Sequence, residues 1–121
     1  KRDNCVAFSK WFLVQYTELN DPTVSGNGNE LAYNLYNRYK NEKDLKTTDY
    51  PVVYSIASWS SPSRWTNHTG IIVGIYDGKA IIAEAAWGIG GGSYFEEYPV
   101  DEISGPGHYY VDLTPFMKGS L

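Results

Sequence analysis

Thr69–Trp87 reads TGIIVGIY, then Asp77-Gly78, then KAIIAEAAW: two apolar runs of near-equal length around an Asp-Gly pair. Asp-Gly between such runs is a strong short-range hairpin signal, because both residues tolerate the positive φ of a tight turn. An antiparallel sheet is therefore fixed in the second half of the chain. The first half differs. Val6–Tyr16 is an apolar run with no Pro or Gly, preceded by Asp3 and Asn4 as candidate N-caps, and predicts a helix over 5–17. This helix is apolar nearly all round, so it is expected to be central and covered on several sides. Pro22, Gly26 and Gly28 mark a loop, after which Asn29 is expected to cap a helix over 30–40 with Leu31, Leu35 and Tyr39 on one face. Beyond Pro51, Val52–Ser58, the hairpin, SYFEEYPV and HYYVDL read as strands, with loops at Trp59–Asn67 and in GIGGGS. Helices followed by strands imply an α+β fold, N-terminal helices packed on a twisted antiparallel β-sheet. There is no internal repeat, and 1–121 reads as a single domain.

The chain has 121 residues, room for one core, and a formal net charge of −4. That balance argues against nucleic acid, whose backbone selects clustered Lys and Arg. Arg38–Lys46 mixes signs and reads as a solvated helix end. No apolar stretch approaches the ~20 residues of a membrane span, and the start shows no signal-peptide pattern, as in a processed or excised domain. One cysteine excludes an internal disulfide and a multi-thiolate zinc site. Eleven Tyr and four Trp, among many Asn, Ser, Thr and Gly, make surfaces suited to sugars and peptides more than to polyanions.

That cysteine, Cys5, falls in the first turn of the first helix. Unpaired N–H groups there favour the thiolate, the species that attacks carbonyls. A nucleophilic Cys needs a base, and the base an orienting group. His68 stands at the start of the hairpin and Glu84 inside its second strand. With Asp77-Gly78 alone as the loop, Glu84 points to the opposite face from His68. With a three-residue loop, Tyr76-Asp77-Gly78 and Gly78 left-handed, the two share a face as diagonal neighbours. Catalysis thus predicts a bulged hairpin with Gly78 at positive φ, or a bulge elsewhere if the turn is tight. The shared face holds Gly70, Ile72, Gly74, Ala80 and Ile82, small enough in places for the Cys5 helix to lie close upon it. His108 is the one rival base, in a Pro-Gly lead-in that reads as a strand start at the surface. No G-x-S-x-G surrounds the serines, and no GK[ST] follows Gly90-Gly91-Gly92, which excludes a nucleophile elbow and a phosphate loop.

In order and spacing, four segments together resemble the CHAP family of cysteine- and histidine-dependent amidohydrolases and peptidases. They are DNCVAFSKWF, GNGNELAYNL, the Ser- and Trp-bearing strand and loop, and NHTGIIVGIYDGKAIIAEAAWG. The resemblance spans nearly the whole chain. It implies a papain-like fold, with Cys5 as nucleophile, His68 as general base and Glu84 as orienting acid. It implies cleavage of amide bonds in bacterial peptidoglycan, as endopeptidase or N-acetylmuramoyl-L-alanine amidase, and no cofactor. It also implies action outside the cell or at the wall, as in endolysins, with a wall-binding domain outside this chain as companion. Trp59, Trp65 and Trp87 flank His68 and Glu84 in sequence and are expected to line the substrate groove. Two positions depart from the family: Ala86 stands where an Asn often follows the acid, and Asn67 rather than Gly precedes the His. Some members bind calcium through acids ahead of the Cys. Only Asp3 lies there, so no metal site is expected. The alternatives are a wall-binding module without turnover and an intracellular cysteine amidase acting on a small metabolite.

Overall fold

Asn4 starts the first helix: its side chain accepts from the Ala7 N–H at 2.8 Å, so Cys5 opens the helical turn. The computed structural model describes residues 4–60, 67–85 and 93–119. Among them are two α-helices, α1 (Cys5–Tyr16) and α2 (Leu31–Tyr39), and six strands. The strands are β1 (Thr47–Thr48), β2 (Ser55–Trp59), β3 (His68–Tyr76), β4 (Lys79–Ala85), β5 (Ser93–Pro99) and β6 (His108–Asp112). Short 3₁₀ turns follow β5 and β6. All pairings are antiparallel, in the order β1-β6-β2-β3-β4-β5. β2 lies inside the sheet and every residue of it is buried.

The expected α+β layout is the one observed, with shifts at element ends. Trp59 ends β2 instead of opening a loop, and the two-residue β1 had no pattern long enough to read. Glu30, not Asn29, occupies the N-cap of α2, and its Oε1 reaches back 2.9 Å to accept from the Asn27 N–H. α1 is less enclosed than its composition implies. Ser9, Phe12 and Leu13 are buried, while Trp11 and Val14 are 48% and 41% exposed.

The hairpin turn is tight. Tyr76 pairs with Lys79, and Asp77 and Gly78 have φ of 52° and 73°. The expected three-residue loop is therefore incorrect. The extra residue sits in β3 instead: Ile72 pairs with Ile82 and Gly74 with Ile81, leaving Val73 as a bulge. Beyond it Ile71 pairs with Ala83, which brings Gly70 beside Glu84 and makes His68 its diagonal neighbour. Gly78 is left-handed as expected.

The sheet carries a core on each face. On one, Phe12 and Leu13 of α1 and Leu31, Ala32 and Leu35 of α2 pack on Ile56, Ile71 and Val111. On the other, Ala57, Trp59, Ile72, Ile82, Tyr98, Ile103 and Tyr110 pack together without a helix. α1 thus lies on the face of Thr69 and Ile71, opposite that of Gly70 and Ile72, and Ser9 Oγ and Thr69 Oγ1 are 3.3 Å apart. The expectation that the helix uses the glycine face is overturned. Gly70 is small for another neighbour: a Cβ there would lie 2.6 Å from Ile82 Cδ1 on the adjoining strand.

Candidate active site

Three elements converge where β3 begins. α1 presents Cys5 on its first turn, β3 presents His68 on its first residue, and β4 presents Glu84 one residue from its end. The Cys5 thiol and the His68 imidazole are hydrogen-bonded, and the sulfur also meets the backbone N–H groups of Thr69 and Val6. His68 Nε2 is 2.6 Å from Glu84 Oε1. That contact engages Nε2 of the ring. His68 is 3% exposed and Glu84 fully buried, so the carboxylate acts on the ring with little solvent between them. Glu84 Oε2 is buried with no hydrogen-bond partner among the described residues.

The electrostatics follow from these contacts. Burial works to raise the Cys5 thiol, but the hydrogen bond and charge of His68 and the two backbone donors outweigh it and hold the thiol below its ordinary 9.0. Burial works to lower His68. The hydrogen bonds to Cys5 and Glu84 and the charge of both prevail and raise it to about 9. Both shifts favour a thiolate beside an imidazolium, with Glu84 holding the ring. This constellation can attack an electrophilic carbon and hand a proton to a leaving group.

Cys5, His68 and Glu84, singled out from the sequence, are brought together. Trp59 is not a groove residue: it is fully buried, its Nε1 donates to Tyr110 Oη at 3.0 Å, and its ring lies 5.7 Å from that of His68. It backs the imidazole from within the core, because β2 places it directly opposite His68. Trp65, Trp87 and the departure at Ala86 lie outside the described residues. His108 begins β6 as expected but is 7% exposed and lies against the far side of Trp59, at 6.0 Å between rings. Trp59 thus separates it from the Cys5–His68 pair. Among the described residues, no three His, Cys, Asp or Glu side chains gather as a metal site requires, and no helix is long and apolar enough to cross a membrane.

Two features escaped the sequence reading. Asn67 has φ of 54°, a left-handed conformation that glycine adopts freely and that Asn tolerates best among the other residues. This explains physically why Asn can stand where the resemblance implies Gly. The second is the loop before α2, whose Gly28 lines the same groove of about 940 Å³ as Asn4, Cys5, Trp11 and Asn67. In the sequence its glycines mark a loop and belong to the GNGNELAYNL segment of the resemblance, with nothing to show that they reach the site.

No curated protein matches the sequence. Among solved structures, the chain is similar to an N-acetylmuramoyl-L-alanine amidase from Staphylococcus aureus, with TM-score 0.56 and 14% identity. The match covers 96% of this chain and 30% of that one, so the chain spans under a third of its structural neighbour, and at this identity the likeness is one of fold. The CHAP domain matches in sequence over residues 1–86, which takes in α1, α2 and the hairpin with all three converging residues. The chain belongs to the CHAP domain family.

Proposed function

We propose that this domain is a cysteine hydrolase that cleaves amide bonds of bacterial peptidoglycan, as endopeptidase or N-acetylmuramoyl-L-alanine amidase, at the wall or outside the cell. The observation that carries the reading is the hydrogen-bonded Cys5–His68–Glu84 series at a helix N-terminus, open to a groove. Membership of the CHAP family and the fold of the staphylococcal amidase support it.

The Cys5 thiolate attacks the amide carbon, and a C–S bond forms as the carbonyl π electrons move to oxygen. The Cys5 backbone N–H and one further donor hold that oxyanion. As the tetrahedral intermediate collapses the C–N bond breaks, and His68 gives its proton to the leaving amine. Glu84 holds the ring and balances its positive charge through both steps. Water, deprotonated by His68, then releases the acyl group and restores the thiol pair. In this reading Trp65 and Trp87 contact the substrate, and the domain 1–121 works beside a wall-binding domain.

The test is turbidity loss of purified Gram-positive cell walls with wild type beside Cys5→Ala, followed by mass spectrometry of the fragments. Lysis by wild type only is expected, and the new amine termini identify the bond. Equal lysis by both removes Cys5 from the mechanism. Wall binding without lysis by either turns the reading into a binding module.

A further inference from the structure

We propose that Gly28 is a positioning residue for His68: its missing side chain lets the loop before α2 lie directly against the Asn67–His68 peptide and fix where the imidazole meets Cys5. The proposal rests on the reading of Cys5 and His68 as nucleophile and base.

The argument is one of space. Gly28 is buried, and a Cβ on it would lie 2.0 Å from Asn67 O, 2.6 Å from Asn67 C and 2.9 Å from His68 Cα. All three are backbone atoms, so no side-chain rotation relieves the contact. The backbone of Gly28 is not left-handed, in contrast to Gly26 at φ 137°, so conformational freedom is not what the position needs. A glycine here is the only residue that lets the two chain segments approach this closely.

Both segments are tied to other parts of the fold. The Gly28 loop is held by Asn27, whose N–H donates to Glu30 Oε1 at 2.9 Å and whose carbonyl accepts from Glu30 and Leu31. α2 is in turn fastened to the sheet by the Ala32 N–H, which donates to the buried Ser58 Oγ at 2.8 Å. On the other side, the Asn67 backbone is in the left-handed conformation, and the His68 ring lies between Trp59 behind it and Glu84 beside it. A displaced Asn67–His68 peptide would move the His68 Cα, and with it the root of the ring that must meet Cys5. An ångström of misplacement costs about 10²-fold in rate where reacting groups must meet.

The experiment uses the whole chain and reads the thiol directly, by the pH dependence of Cys5 alkylation with iodoacetamide. Folding of each variant is checked by circular dichroism. Gly28→Ala is expected to move the apparent thiol pKa up toward 9.0. It should also lower kcat on walls by roughly 10²-fold with KM changed less than about threefold. Gly74→Ala, in the same strand as His68 but with a Cβ in ordinary contact 3.5 Å from Ile81, is expected to leave the alkylation profile unchanged. Glu30→Ala removes an exposed side chain that braces the loop, and is expected to slow alkylation near neutral pH about threefold. If Gly28→Ala does not fold, Glu30→Ala decides. An unchanged profile in folded Gly28→Ala, an unchanged profile in the deciding Glu30→Ala, or an equal shift in Gly74→Ala overturns the proposal. Alkylation needs no wall substrate, so failure of the hydrolase reading on walls leaves this readout standing and the two failures are distinguishable.

Discussion

Glu84 is the residue on which the pair depends. A fully buried carboxylate 2.6 Å from an imidazole favours the protonated ring, which in turn favours the thiolate. Because His68 is raised to about 9 and Cys5 lowered below 9.0, the thiolate–imidazolium pair is populated between the two apparent values, which belong to the coupled pair. Turnover is therefore expected to rise on the acid side as Cys5 loses its proton and to fall as pH passes about 9, where His68 can no longer protonate the leaving amine. Initial rates on soluble wall fragments across pH test this, and activity still rising beyond that point contradicts it. In Glu84→Gln the negative charge is gone, so His68 titrates lower. The basic limb moves toward neutral pH and kcat falls roughly 10²-fold or more. At Asn67, replacement by Ala places a Cβ in the left-handed region without the local hydrogen bonding of an Asn side chain. Urea unfolding is expected to show a loss of about 1 kcal/mol for Asn67→Ala and less than about 0.5 kcal/mol for Asn67→Gly.

The bulged β3–β4 hairpin is the element that delivers two of the three groups. Its tight turn alone sets the wrong register, and the unpaired Val73 shifts it so that His68 and Glu84 share a face. Gly70 lies between them in the weave, where a Cβ would meet Ile82 Cδ1 at 2.6 Å and Ala83 O at 3.0 Å. Gly70→Ala is therefore expected to cost about 1–3 kcal/mol in chemical denaturation, and the penalty should shrink when Ile82→Val trims the neighbour. A penalty independent of Ile82 would place the strain elsewhere. The hairpin itself was legible because Asp77-Gly78 separates two apolar runs, and the Cys5 helix because Asn4 precedes an uninterrupted apolar run. The place of the bulge was not legible, since Val73 sits in a uniformly apolar strand and nothing local marks it. The packing face of α1 is not legible for a related reason. Small residues signal close approach without naming the partner, and at Gly70 that partner is a neighbouring strand. The place of Trp59 is hidden because a Trp beside a Ser-rich stretch reads as loop, whereas cross-strand pairing with His68 and His108 buries it.

At the scale of the molecule, the site stands on the sheet's second core. Tyr110 Oη accepts from Trp59 Nε1 and donates to the Ile103 carbonyl, tying β2, β6 and the turn after β5 beneath the imidazole. Tyr110→Phe leaves a buried indole N–H and a buried carbonyl unpaired, and is expected to cost about 1–3 kcal/mol with the Cys5 alkylation profile nearly unchanged. A profile that moves with stability would show that the core tunes the thiol and does more than support it. The chain's single cysteine has a consequence of its own. A thiolate held below its ordinary range and open to a groove is the form that peroxide oxidises, and this chain offers no second thiol to capture the sulfenic acid as an internal disulfide. Oxidation would then run on to the irreversible acids unless an external thiol intercepts it, so the same contacts that make Cys5 reactive leave its redox protection to the surroundings.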